Sequence, residues 1–143
     1  MESSPSLRIL STELRLTDVA TRLPFRFGGA VLNAAPLATL KVVISTTDGE
    51  ESVGHSSDLL VPKWFEKDPT KSALDDVQAL LGSIAHAMDA WTRACSDGAT
   101  VFDAWKAVYS ECLGAFDPTD SSSLVRGFGV ALMERAAMDA TCR

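Results

Sequence analysis

Two histidines, His55 and His86, are the only imidazoles in the chain, and imidazole is the side chain best suited to moving protons near neutral pH. His55 precedes Ser56, Ser57 and Asp58, which on paper supplies the three residue types of a hydrolase triad. Triad members must converge in space with the acid orienting the base, whereas these are sequence neighbours at the end of a strand. His86 lies two residues past Ile84 and two before Met88, inside a helical pattern and beside its apolar stripe. The carboxylates do not cluster as metal ligands. Asp75 and Asp76 fall in the first turn of a helix, where negative charge complements the macrodipole. Asp48, Glu50 and Glu51 belong to a turn. Gly28-Gly29 lacks the Gly-Lys-Ser/Thr that a phosphate loop requires. Cys95, Cys112 and Cys142 are odd in number with no Cys-x-x-Cys spacing, so they read as reduced, partly buried thiols. No catalytic residue and no metal site is expected in this chain.

Two apolar segments hold more promise as a binding surface. One is Leu23-Pro24-Phe25-Arg26-Phe27-Gly28-Gly29, where two aromatics flank a guanidinium able to pair with a carboxylate. The other is Leu59-Leu60-Val61-Pro62-Lys63-Trp64-Phe65. Each carries a single cation in an apolar run, which is uncommon for segments that should lie at the surface. Alternatively, Phe25, Phe27, Trp64 and Phe65 simply cover an open sheet face.

Strands in the first half and helices in the second must position these segments, an α+β pattern rather than the alternation of a parallel sheet. Leu7–Leu16 alternates with Leu10, Leu14 and Leu16 on one face. Leu37–Thr46 alternates more strictly, with Leu40, Val42 and Ile44 on one face. Asp48-Gly49 then offers a hairpin turn, and a third strand over Glu51–Ser56 should return antiparallel. The expected sheet is a three-stranded meander over residues 7–57, with a long excursion between strands one and two. Helices follow over 72–141. Ser72 and Asp75 resemble a capping box ahead of the stripe Leu74, Val77, Leu80, Leu81, Ile84, Met88, Trp91 and Cys95. Thr100 and Asp103 repeat the device ahead of Phe102, Trp105, Val108, Cys112 and Phe116, and Pro118 closes that helix. The third helix, from Ser123, is apolar around nearly its whole circumference. Such a helix is normally enclosed, and one small sheet with two helices leaves it short of a covering partner. Residues 1–6 are polar and read as a frayed, disordered terminus.

Composition narrows the partners. A net charge of −6 and a pI near 4.8 argue against a nucleic-acid surface, which needs clustered cations. No run approaches the roughly 18 apolar residues of a membrane span, and Met-Glu-Ser-Ser-Pro-Ser is no secretory signal. A cytoplasmic location is the expectation.

The order of these pieces resembles the mandelate racemase/muconate lactonizing branch of the enolase superfamily, from about Leu7 to Arg143. The resemblance rests on Pro24-Phe25-Arg26-Phe27-Gly28, on Val42-Val43-Ile44 with its Thr47-Asp48-Gly49 turn, on Val53-Gly54, and on the closing Leu132-Met133-Glu134-Arg135-Ala136-Ala137-Met138-Asp139-Ala140. Many relatives end strand three on Gly-x-Gly-Glu, where this chain has Val53-Gly54-His55-Ser56. The resemblance implies that residues 7–143 are the N-terminal capping domain, whose two mobile loops set substrate specificity over a catalytic barrel. Those loops correspond to Phe25, Arg26, Phe27, Gly28 and Gly29, and to the stretch from Leu59 through Leu60, Val61, Pro62 and Lys63 to Trp64. It implies further that the barrel, the Mg²⁺ it holds and its bases lie outside this chain, since a barrel needs roughly 200 residues or more. The expected partners are that C-terminal barrel, in the same or a separate chain, and a small carboxylate substrate. Alone, the chain should be a truncated, inactive lid of a racemase, cycloisomerase or dehydratase. The competing expectation is a stand-alone interaction module, or a homo-oligomer formed through the third helix.

Overall fold

The computed structural model describes residues 4–115, 117, 119–120 and 122–143. Phe116 and Pro118, read from sequence as the end of the second helix, lie outside the described residues, as do residues 1–3 of the N-terminal segment. Three antiparallel strands in the order β1-β2-β3 precede three helices, the α+β meander expected from the sequence. The strands are β1 (Leu7–Phe27), β2 (Ala30–Thr46) and β3 (Glu51–Leu59); the helices are α1 (Ala73–Ala94), α2 (Val101–Leu113) and α3 (Ser123–Thr141).

The first two strands are far longer than the alternation suggested. Instead of an excursion between them, one hairpin runs from Leu7 paired with Thr46 out to Phe27 paired with Ala30. Gly28 turns it at φ 53°, a conformation that costs glycine nothing because it has no Cβ. A two-residue Gly-Gly turn between β-forming residues is itself a hairpin signal. It is obscured here because the register slips between Ala20/Ala34 and Phe25/Leu32, so that Thr21–Pro24 bulge out opposite Asn33. The bulge accommodates Pro24, which has no N–H to give a ladder. It is tied down by the Thr21 hydroxyl, which donates to the Leu32 and Asn33 carbonyls at 3.3 and 3.2 Å. A second irregularity between Ile9 and Ser11 corrects the expected face of β1. Leu14 packs against the core with Leu7 and Ile9, but Leu10 and Leu16 are exposed.

On β2, Ala38, Leu40, Val42 and Ile44 are fully buried, as the strict alternation demanded. Both helix starts are also as read. The Ser72 hydroxyl accepts the Asp75 N–H at 3.1 Å while the Asp75 carboxylate accepts the Ser72 N–H at 2.8 Å; the Thr100 hydroxyl accepts the Asp103 N–H at 3.1 Å and donates to the Asp103 carboxylate at 2.7 Å.

Helix α3 is better covered than its sequence suggested. Val125, Phe128, Val130, Leu132, Met133, Ala136, Ala137 and Ala140 are buried by the chain's own α1, α2, β2 and β3, leaving Leu124 and Met138 as its exposed large apolar residues. The missing cover comes from two glycines that let backbone meet backbone. A Cβ on Gly54 would sit 2.0 Å from the Ala136 carbonyl oxygen, and one on Gly129 would sit 2.2 Å from that of Ser83. Around the first contact, Ser52 and Ser56 donate to the Ala140 and Leu132 carbonyls at 2.6 and 2.7 Å, and the His55 N–H donates to Asp139 at 2.8 Å. Around the second, the Ser83 hydroxyl accepts the Gly129 N–H at 2.8 Å and donates to the Arg126 carbonyl at 3.0 Å.

Gly54→Ala must therefore push α3 off the sheet. Overpacking of this kind costs about 1–3 kcal/mol or more, so urea unfolding should show a clear loss of stability. An unchanged midpoint would mean that the close approach is not required.

Candidate functional site

The two apolar segments meet. At the hairpin tip Phe25 and Phe27 project from one face of the ribbon, because alternate residues of a strand share a face. Their ring centroids lie 5.9 Å apart, and Trp64, arriving from the segment after β3, lies 6.5 Å from Phe25 and 5.0 Å from Phe27. These rings, with Leu32, Leu59, Val61, Phe65 and Asp58, line a depression of about 340 Å³. The expected first loop is thus a strand end: Phe25, Arg26 and Phe27 are paired with Leu32, Val31 and Ala30, and only Gly28 and Gly29 form the turn. Arg26 is exposed and pairs with Val31, on the opposite face of the ribbon from the two phenylalanines.

The second segment is a loop whose start is fixed by its own chemistry. Leu60 is fully buried, and its N–H reaches the Pro36 carbonyl at 2.9 Å, extending the sheet by one bond. Lys63 then adopts φ 62°, a left-handed conformation uncommon for a residue with a side chain. Its ammonium accounts for the strain. It contacts the Asp76 carboxylate at 3.1 Å and donates to the Asp68 and Lys71 carbonyls at 2.8 and 2.7 Å. The Lys63 N–H also donates to Asp76, at 3.1 Å. Asp76 is only 3% exposed, and a carboxylate so deeply buried needs a cation. Downstream, Lys67 donates to the Lys63 carbonyl at 2.7 Å, Lys71 pairs with Glu66 at 2.9 Å, and Phe65 packs edge-on against Phe128 of α3. The Lys71 bond holds the Glu66 carboxyl below the usual carboxylate range. Pro62 is half-buried between these anchors. Lys63, the single cation of the second apolar segment, is an internal tether. Asp76, read only as a helix-dipole residue, is its partner. No local signal could have shown this, because the two lie thirteen residues apart in separate elements.

The other candidates are accounted for. The Ser56 hydroxyl donates to a helix carbonyl, and Asp58 pairs with Arg135 at 2.9 Å and accepts the Leu59 N–H at 2.9 Å. Since His55 and Ser56 are consecutive in β3, they lie on opposite faces and form no triad. His86 projects to the surface, 3.3 Å from Glu111, which also binds Arg93; the His86 bond is the main reason the Glu111 carboxyl is held low. Burial pushes the Cys95 thiol up to about 11, so it is not a nucleophile. No three metal-ligating side chains cluster among the described residues. A larger groove that sequence reading missed, about 650 Å³, runs between α2 and α3. Tyr109, Leu113, Leu124, Phe128 and Met138 line it, with Asp58–Arg135 and Asp120–Arg126 at its edge. No helix is long and apolar enough to cross a membrane.

The sequence matches no family profile, and no curated protein matches it significantly. Among solved structures, the fold is similar to that of an enolase from Bradyrhizobium, whose crystal structure contains magnesium and mandelic acid. The likeness has a TM-score of 0.57 at 18% identity and covers 98% of this chain but 32% of that one. The chain thus spans about a third of the length of that enolase, and what the two share is the fold.

If Lys63 is a tether, removing its anion should release Trp64. Asp76→Ala, which leaves a partly buried ammonium without its counter-charge, is expected to cost about 1–3 kcal/mol and to shift Trp64 emission to the red. A variant with wild-type stability and emission would contradict the tether.

Proposed function

We propose that the chain is the substrate-specificity lid of a Mg²⁺-dependent enolase-superfamily enzyme of the mandelate racemase/muconate lactonizing branch. The enzyme would act on a small carboxylate by racemisation, cycloisomerisation or dehydration. The observation that carries the reading is the convergence of Phe25, Phe27 and Trp64 from two separate segments on one pocket. The enolase likeness supports it by matching nearly all of this chain to a third of a longer protein. In this reading the barrel, in the same or a separate polypeptide, carries the chemistry. Proton abstraction next to a carboxylate needs a base and a charge to stabilise the enediolate. The described residues offer no ligand set for magnesium, and in this reading the barrel would hold the metal. This chain's share is to cover the barrel mouth, exclude water and hold the distal part of the substrate.

A second reading is a stand-alone or self-associating interaction module. The α2–α3 groove favours it, because Tyr109, Leu124 and Met138 remain exposed along it. Sedimentation separates the two, since a compact two-fold dimer would bury the same patch on both copies.

Two measurements test the lid. The native polypeptide should have a mass corresponding to about 350–400 residues, a lid plus a barrel of ordinary size, unless the barrel is a separate chain that co-purifies. In the complete enzyme, Phe25→Ala should raise KM by about ten-fold, the equivalent of one lost ring contact. Unchanged kinetics would remove the hairpin tip from the site.

A further inference from the structure

Along the groove between α2 and α3, of about 650 Å³, the residues of α3 recur with a helix-packing period. Leu124, Phe128, Ala131, Arg135 and Met138 line it, at spacings of four, three, four and three residues. This is the repeat of roughly 3.5 residues that keeps one seam facing a neighbouring helix over several turns. Leu124 and Met138 mark its ends, about 21 Å apart at the helical rise, and are 62% and 48% exposed. Tyr109, on the α2 side, is 45% exposed. Small residues floor the middle. A Cβ on Gly127 would meet only the Leu113 side chain, at 3.7 and 3.9 Å, so a third helix can approach closely between the larger ends.

Both walls are helices, whose backbone groups are engaged in their own ladders, so an extended segment would find no strand edge to pair with. A helix satisfies its own backbone and presents only side chains. Charge selects the kind of helix. Asp58, Asp117, Asp120 and Glu134 stand in the lining against Arg126 and Arg135. Asp58 pairs with Arg135 and Asp120 with Arg126. Among the described residues, Asp117 and Glu134 then have no cation in ion-pair range. The Thr119 hydroxyl and N–H hold the Asp117 carboxyl below the usual carboxylate range, so it is charged at neutral pH. A second copy would bring the same uncompensated carboxylates to a two-fold interface, and each copy carries a net charge of −6.

We infer that the α2–α3 groove receives a cationic amphipathic helix of about four turns, supplied by a partner protein. Its apolar face lies on the α3 seam and its Lys or Arg side chains stand beside Asp117 and Glu134. The inference rests on the reading of this groove as an interaction surface and is separate from the lid and its hairpin tip.

The test uses the 143-residue chain and an amidated peptide of about 15 residues, made of Leu, Lys and Ala with its leucines on one helical face. A scrambled peptide keeps the charge without the apolar face, and a third carries Glu in place of Lys. Fluorescence anisotropy of labelled peptide gives Kd, and the Leu124 and Met138 methyl resonances locate the contact. The amphipathic cation should bind with a Kd of about 10 μM and shift both methyls. The scrambled and acidic peptides should bind at least about ten-fold more weakly. Leu124→Ser and Tyr109→Ala, both at exposed positions, should each weaken binding about ten-fold, and Asp117→Asn with Glu134→Gln about three-fold. Unaltered core resonances would show that the variants are folded. Tighter binding of the acidic peptide, or a dimer in sedimentation that Leu124→Ser dissociates, would overturn the cationic partner while keeping the groove as an interaction surface. Binding equal for the scrambled peptide, binding untouched by Leu124→Ser and Tyr109→Ala, or no binding at all by a monomeric chain would overturn both.

Discussion

The fold depends on a helix lying against a sheet with almost nothing between their backbones. At Gly54 there is no space for even a methyl group beneath the Ala136 carbonyl, and Ser52 and Ser56 bond directly to carbonyls of α3. Hydroxyls that donate to helix carbonyls at this range fix the helix in rotation and in translation along the strand. With α3 so placed, the same helix two turns earlier meets α1 at Gly129 in an equally close approach. The sheet, α3 and α1 are thereby locked in sequence, and Leu40, Val42, Trp91, Leu132 and Met133 fill the space that remains.

That frame also explains how the pocket is held. Phe65 rests on Phe128 of α3 and Asp76 belongs to α1, so the segment bearing Trp64 is fixed to the rigid body from two sides. The hairpin tip is held differently. It extends beyond Leu37, where β3 stops pairing, and beyond the Thr21–Pro24 bulge, with its aromatic faces turned toward Trp64. One wall belongs to the frame and the other to a two-stranded ribbon.

What could be read from the sequence was what is local. The cap hydrogen bonds of Ser72 and Thr100, the alternation of Leu37–Thr46 and most of the helical stripes each lie within a few residues and came out as read, whereas Leu74 and Phe102, placed on the stripes, are exposed. The hairpin was misread because one bulge and Pro24 break the period on which the reading depends. The cover over α3 was underestimated because hydropathy counts apolar side chains, whereas Gly54 and Gly129 act through having none. Of the site, Phe25, Phe27, Val61 and Trp64 were legible as aromatics and aliphatics in unlikely surroundings. The roles of Lys63 and Asp76 were not, since a pair between elements leaves no periodic trace. The pair Val53-Gly54, one of the features behind the family resemblance, has a physical reason in this chain: the contact with Ala136.

The length of β1 has another consequence. Within the sheet its partner is β2 alone, so beyond the bridge of Leu7 to Ala99 one side of this 21-residue strand offers a row of unpaired backbone groups, the template on which foreign strands add. Arg8, Glu13, Arg15, Asp18, Arg22 and Arg26 are spread along that edge, and the bulge with Pro24 interrupts it before the apolar tip. An approaching strand would meet charges of both signs, then a break in register, then a residue that donates no hydrogen bond. A ribbon able to carry exposed aromatic rings at its end is thus shielded along its length against pairing with a copy of itself.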